Sequence, residues 1–163
     1  MSELQTGVPA TLVSSDPAAT TGRRAPKSLH TCLVVSVCAE RAQLLVRAAH
    51  EQLWATIVCR SAEDALRQWV RHRIQLALID FQSAPAGEQD AFRTLVQQLA
   101  GRNGTLLAVC GKPNDTASEV WSRQLGVWMY LPGVDSESDI ALLCSEARQV
   151  LEKLHHHGLT TAK

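Results

Sequence analysis

The chain has 163 residues, 45% of them hydrophobic and 20% charged, with 16 basic and 16 acidic side chains. That is the size and composition of one ordinary globular domain with residues left over for a tail. The formal net charge of zero lacks the basic excess with which nucleic-acid binders neutralise phosphates and polybasic proteins hold anionic membranes. No apolar run reaches the roughly 20 residues that span a bilayer. The opening stretch MSELQTGVPATLVSSD has neither a basic n-region nor an unbroken apolar h-region, so a secretory signal is not expected and the expected compartment is the cytoplasm. Cys32, Cys38, Cys59, Cys110 and Cys144 form no CxxC pair and have no His at metal-ligand spacing. They are read as reduced, mainly structural thiols.

Residues 1–29 are dominated by Ala, Thr, Ser, Pro and Gly, with one small basic cluster at Arg23, Arg24 and Lys27. No strand or helix period persists there, and such a stretch buries too little apolar surface to offset its ordering entropy. It reads as a flexible leader before a domain spanning residues 30–154. From there, apolar runs alternate with amphipathic segments. Cys32–Val37 (CLVVSV) is a continuous apolar run and predicts a strand buried on both faces. Glu40–Gln52 places Leu44, Leu45, Ala48 and Ala49 on one helical face. Ala55–Cys59 predicts a second strand. Ser61–His72 predicts a second helix, with Ser61 as its N-cap and Asp64 at capping-box spacing. Gln75–Asp80 (QLALID) predicts the third strand, and Asp90–Ala100 a third helix ended by Gly101. Thr105–Cys110 and Val127–Leu131 predict the last two strands, around a fourth helix over Asp115–Leu125 with Gly126 at its C-terminus. Asp135–Leu154 predicts a long final helix capped by Asp135 or Ser136, and residues 155–163, with their three adjacent His, read as a frayed tail.

Strands alternating with helices imply an α/β fold, a parallel sheet covered on both faces. Five such units are too few for a closed eight-stranded barrel, which leaves an open, doubly wound, flavodoxin-like sheet. Ligands in that architecture meet the carboxyl ends of the strands. The residues to watch are therefore Ser36, Val37, Asp80, Cys110 and Gly133.

LALID followed by Phe81, GVWMYLPGV (Gly126–Val134) and SAEDALRQW (Ser61–Trp69) together resemble the response-regulator receiver domain over nearly all of residues 31–154. The resemblance implies strand order 2-1-3-4-5 and puts Asp80 at the phosphoacceptor position. It also implies an acidic pair after the first strand that holds Mg²⁺ with that aspartate, a Ser or Thr after the fourth strand, and a Lys after the fifth. Here the acidic pair falls on Ser36 and Val37, the Ser/Thr position on Cys110 and the Lys position on Gly133. Val37 cannot ligate a hard cation, Ser36 is a poor substitute for a carboxylate, Cys110 bonds weakly and Gly133 has no charge. Glu40 and Lys112 lie close enough in sequence to be considered as substitutes, though a first-turn Glu suits the helix dipole on its own account. Tyr130 matches the aromatic position that turns inward in activated receivers. Without a Thr partner its hydroxyl is expected at the surface or on a fixed partner.

These departures predict a degenerate, non-catalytic pseudo-receiver with no cofactor and no tight metal site, acting by binding a protein in bacterial signalling or regulation. The alternative is an atypical single-domain response regulator phosphorylated on Asp80 by a histidine kinase. A redox reading would use Cys38 and Cys110, but no His lies at a strand end to serve as base. A dinucleotide site is excluded by the glycine-free turn Ser36–Glu40. Trp121, Trp128 and Tyr130 mark a candidate interface on the face of the fourth helix, fifth strand and fifth helix, where receivers dock or form homodimers. The final helix adds an apolar stripe ending at Leu151 and Leu154.

Overall fold

The computed structural model describes residues 30–160, the side chains to residue 157; the predicted leader lies outside the described residues. The elements in chain order are β1 (Thr31–Val35), α1 (Ala39–Glu51), β2 (Ala55–Cys59), α2 (Ala62–Arg71), β3 (Leu76–Asp80), α3 (Gln89–Ala100), β4 (Leu106–Gly111), α4 (Thr116–Gln124), β5 (Met129–Pro132) and α5 (Glu137–Thr160). A short 3-10 turn, Ala86–Glu88, precedes α3. All pairings are parallel and the order is β2-β1-β3-β4-β5, as expected.

Alternation along each strand builds two cores. Leu33 and Val35 of β1 and Ala77 and Ile79 of β3 face one way, onto Phe92, Leu95, Val96 and Leu99 of α3. Cys32, Val34, Leu76 and Leu78 face the other way, onto Leu45, Ala48 and Ala49 of α1 and Ile140, Leu143, Cys144 and Ala147 of α5. Fully burying one such aliphatic side chain contributes about 1.5–3 kcal/mol, so the two layers hold the sheet from both sides. From β1 the chain moves outward to β2, then reverses past β1 to β3, β4 and β5. Crossovers of one hand therefore put α1 on one face and α2, α3 and α4 on the other. The reversal opens a crevice between the carboxyl ends of β1 and β3.

Most boundaries move by a residue or two. β1 ends at Val35 because the chain turns at Ser36, whose backbone N–H bonds Cys59 O at 3.1 Å. The Ser61 hydroxyl accepts from Asp64 N, so the start of α2 is capped as read; the Asp115 carboxylate accepts from Ser118 N and caps α4, which the sequence reading had not assigned. Gly126 follows α4 with φ +79°, a left-handed turn that glycine adopts without steric cost. Gly101 ends α3 with an ordinary right-handed conformation instead. The largest difference is at the end of α5. The helix continues to Thr160 instead of fraying after Leu154. His155 stacks its ring on His30 at 6.2 Å, which gives the extra turns something to pack on. Among the described residues no helix is long and apolar enough to cross a membrane.

Candidate functional site

Asp80 is the last residue of β3 and is completely buried. Ser36, also fully buried, donates its hydroxyl to Asp80 Oδ2 at 2.7 Å. The same Ser36 oxygen accepts from Cys38 N at 3.2 Å, so the turn after β1 is tied to the carboxylate. The other carboxylate oxygen is taken by a residue that the sequence reading did not single out. Arg41, in the first turn of α1, donates from Nε to Asp80 Oδ1 at 3.2 Å. Its Nη1 donates to Val134 O at 3.0 Å and to Asp135 Oδ1 at 2.7 Å. One guanidinium thus fills the crevice and joins α1, β3 and the loop between β5 and α5. Its side chain is only 13% exposed. Asp135, by contrast, is 73% exposed, so its charge is largely screened by solvent and Asp80 is the principal counter-ion.

The other predicted positions fall around this pair without adding charge. Val37 is half-buried and packs its apolar side chain against the core under α2 and α3. Cys110 pairs in register with Asp80 across β3 and β4, and its carbonyl accepts from both Phe81 N (2.8 Å) and Gln82 N (2.9 Å). Burial and then the charge of Asp80 push the Cys110 thiol up to about 12. Burial likewise drives Cys144 up to about 12, and burial with an Asp64 hydrogen bond does the same to Cys59. Thiols held protonated in this way are poor nucleophiles, which removes the chemistry of the redox reading at Cys110. Gly133 turns the chain after β5 with φ +61°, and its N–H bonds Gly111 O at 2.8 Å. A Cβ there would meet Pro113 Cβ at 3.0 Å, so the position favours glycine for space as well as for backbone angle.

Neither proposed substitute reaches the carboxylate. Glu40 and Lys112 are exposed, and among the described residues neither makes a hydrogen bond or ion pair with Asp80. The cation comes from Arg41, and one signal for it was in the sequence. A positive charge in the first turn of a helix opposes the macrodipole, so an Arg placed there calls for a compensating anion. The residues also do not fit Mg²⁺. An oxygen-rich, anionic donor set is required, whereas the crevice offers one carboxylate, one hydroxyl and a guanidinium already on that carboxylate. Among the described residues no group of three or more His, Cys, Asp or Glu could hold a metal ion.

The three aromatic residues named as an interface separate into two layers. Tyr130 is 7% exposed and belongs to the core with Phe81 and Phe92, contrary to the expectation of a surface hydroxyl or a fixed partner. The reason is Gly111, whose missing side chain leaves the space that the phenol end of Tyr130 occupies. The hydroxyl makes no hydrogen bond among the described residues, and burial, then the charges of Asp115 and Glu119, raise its pKa. Trp121 stands half-buried on the same side of the sheet, 6.0 Å from the Phe81 ring, with the Arg93 guanidinium 4.7 Å over its own ring. Trp128 packs on the opposite core with Met129, Leu131 and Val134.

No family model matches the sequence, and no curated protein matches it. Solved structures do. A receiver domain protein of the CheY-like type from Methanospirillum hungatei JF-1 is 17% identical, with a TM-score of 0.65 over 80% of this chain and 99% of that one. A response regulator receiver domain protein from Clostridium thermocellum is 13% identical, with a TM-score of 0.63 over 77% and 99%. The receiver domain of a LuxO repressor protein from Vibrio parahaemolyticus is 13% identical, with a TM-score of 0.65 over 82% and 98%. Strand order and helix placement agree with these likenesses: the chain has the fold of a response-regulator receiver domain.

Proposed function

We propose that this chain is a pseudo-receiver, a non-catalytic module that binds a protein partner in bacterial signalling or regulation without being phosphorylated on Asp80. The observation that supports this reading is the complete burial of Asp80 together with its engagement at both oxygens, by Ser36 and by Arg41. Attack on a phosphodonor needs a carboxylate oxygen presented to solvent, and the transferred group needs cationic neutralisation beyond what the carboxylate itself consumes. Among the described residues, the cation on Asp80 is Arg41, already paired through Nε and Nη1, and the resemblance puts Gly133 at the phosphate-binding Lys position. Asp80 serves instead as an anchor for three loops, which holds the fold in one state.

Binding then falls to the outer surface. Along the edge formed by α4, β5 and α5, Trp121 on one side of the sheet and Trp128 on the other are half-buried, and Val120 of α4 is 47% exposed. Aromatic side chains of this kind are enriched where partners dock, and the same edge would serve a homodimer. Tyr130 is not part of that surface, because its ring is spent on the core.

The test is the intact mass of the wild type and of Asp80→Asn after incubation with acetyl phosphate and Mg²⁺. No adduct on either chain is expected. A phosphoryl adduct on the wild type that Asp80→Asn abolishes would establish the phosphorylated-regulator reading in its place.

A further inference from the structure

At the end of the sheet opposite Asp80, a cavity of about 390 Å³ opens between the start of β1, the loop before β3 and the far end of α5. Its walls are His30, Arg73, Arg148, His155 and His156, with Gln75 and the carboxylate of Glu152. Arg148 is fixed in place. Its Nη2 donates to Leu53 O at 2.9 Å, and its guanidinium lies 6.0 Å from the ring of Trp54, which is 2% exposed. The Nε of the same guanidinium is buried and has no hydrogen-bond partner among the described residues. An N–H donor of a permanent cation costs free energy when buried unpaired. His30 is held between Trp54, at 5.5 Å, and His155, at 6.2 Å. Cationic and protonatable donors from His30, the loop before β3 and α5 thus converge on one cavity, against a single carboxylate among the described residues.

We propose that this cavity is a binding site for a small multivalent phosphate anion, held by Arg73 and Arg148 and gripped more tightly as the pH falls through the imidazole range. A single guanidinium can hold a phosphate through two parallel N–H···O bonds, and this opening carries two, from Arg73 and Arg148. Among the described residues, the charged groups facing His30 are Arg148, His155 and Glu152 of α5 and Arg73 before β3; burial, then Arg148 and His155, lowers its pKa. A bound polyanion reverses that balance. It makes protonation of His30 favourable, so binding takes up protons. The site lies at the opposite sheet edge from Asp80 and does not depend on whether Asp80 accepts a phosphoryl group.

Inorganic pyrophosphate is the probe, titrated calorimetrically into the full chain at pH 7.5 and pH 6.0 in buffers of different ionisation enthalpy and matched ionic strength. Saturable binding is expected, tighter at pH 6.0, with proton uptake read from the buffer dependence. Loss of one charge-assisted phosphate contact weakens binding about tenfold, which is the change expected for Arg73→Gln. His30→Gln should leave binding at pH 7.5 intact and reduce the gain on acidification. Arg148→Gln also loses its contacts to Leu53 and Trp54, so its binding is compared only after its fold is checked by thermal unfolding. No saturable heat at either pH overturns the proposal, as does binding that Arg73→Gln and His30→Gln leave unchanged.

Discussion

Arg41 and Asp80 decide what the crevice can do. Both are held in a largely water-excluded place, Asp80 completely and Arg41 to all but 13% of its side chain. Removing one partner of such a pair leaves the other charge uncompensated, at a cost of about 3–5 kcal/mol. The lower end applies to loss of Asp80, because Arg41 keeps its contacts to Asp135 and to Val134 O. Asp80→Ala is therefore expected to lower unfolding stability by about 3 kcal/mol, and Arg41→Ala, which leaves fully buried Asp80 with only the Ser36 hydroxyl, by about 3–5 kcal/mol. The double variant should cost less than the sum, with a coupling of about 1–3 kcal/mol, read by urea denaturation of the four chains. Additive losses would mean that the two side chains do not work as a pair. At this scale the sequence was only half legible. Asp80 stood out because a carboxylate ends a run of buried apolar residues. Arg41 did not, because its partners lie 39 and 94 positions away and nothing local names them.

The elements were easier to read, because each strand is a dense apolar run and each helix has an amphipathic face. Ser61 caps the start of α2 as its spacing indicated, and Asp115 caps α4 in the same way, whereas α1 and α3 start without a side-chain cap. What local pattern could not supply was the packing that moves an end. The far turns of α5 look polar and frayed in sequence, yet a ring from before β1 stacks on them. Tyr130 is a second case. Its depth depends on Gly111 in the neighbouring strand β4, a relation across two elements. Two substitutions separate space from polarity at that contact. In Gly111→Ala the new methyl group would overlap the Tyr130 hydroxyl, and the overpacking should cost about 1–3 kcal/mol. Tyr130→Phe removes a buried hydroxyl that bonds to nothing among the described residues, so stability should hold or rise by up to about 1 kcal/mol. Thermal unfolding of the two variants checks both, and a large loss in Tyr130→Phe would mean that the hydroxyl has a structural partner.

At the scale of the whole molecule, a parallel sheet covered on both faces was legible from the alternation of runs, and its reversal between β1 and β3 only from the resemblance to receiver domains. That topology puts Ser36, Asp80, Cys110 and Gly133 at one edge whatever their side chains. Their chemistry then determines what the edge does, and here the side chains give an internal ion pair in place of an open anionic metal site. A fold with two states needs an element that a ligand can bias by several kcal/mol. Arg41 ties α1 to β3 and to the loop before α5, and Tyr130 is wedged over Gly111; on the proposed reading these contacts hold the crevice in one state. The most direct measurement is the backbone amide NMR spectrum of the full chain with and without Mg²⁺ and beryllofluoride, a mimic of the phosphoryl group. The spectra are expected to superimpose at every residue near Asp80 and along β4 and α4. Saturable shifts that start at Asp80 and spread into α4, and that Asp80→Asn removes, would show an open phosphoacceptor site and contradict the account.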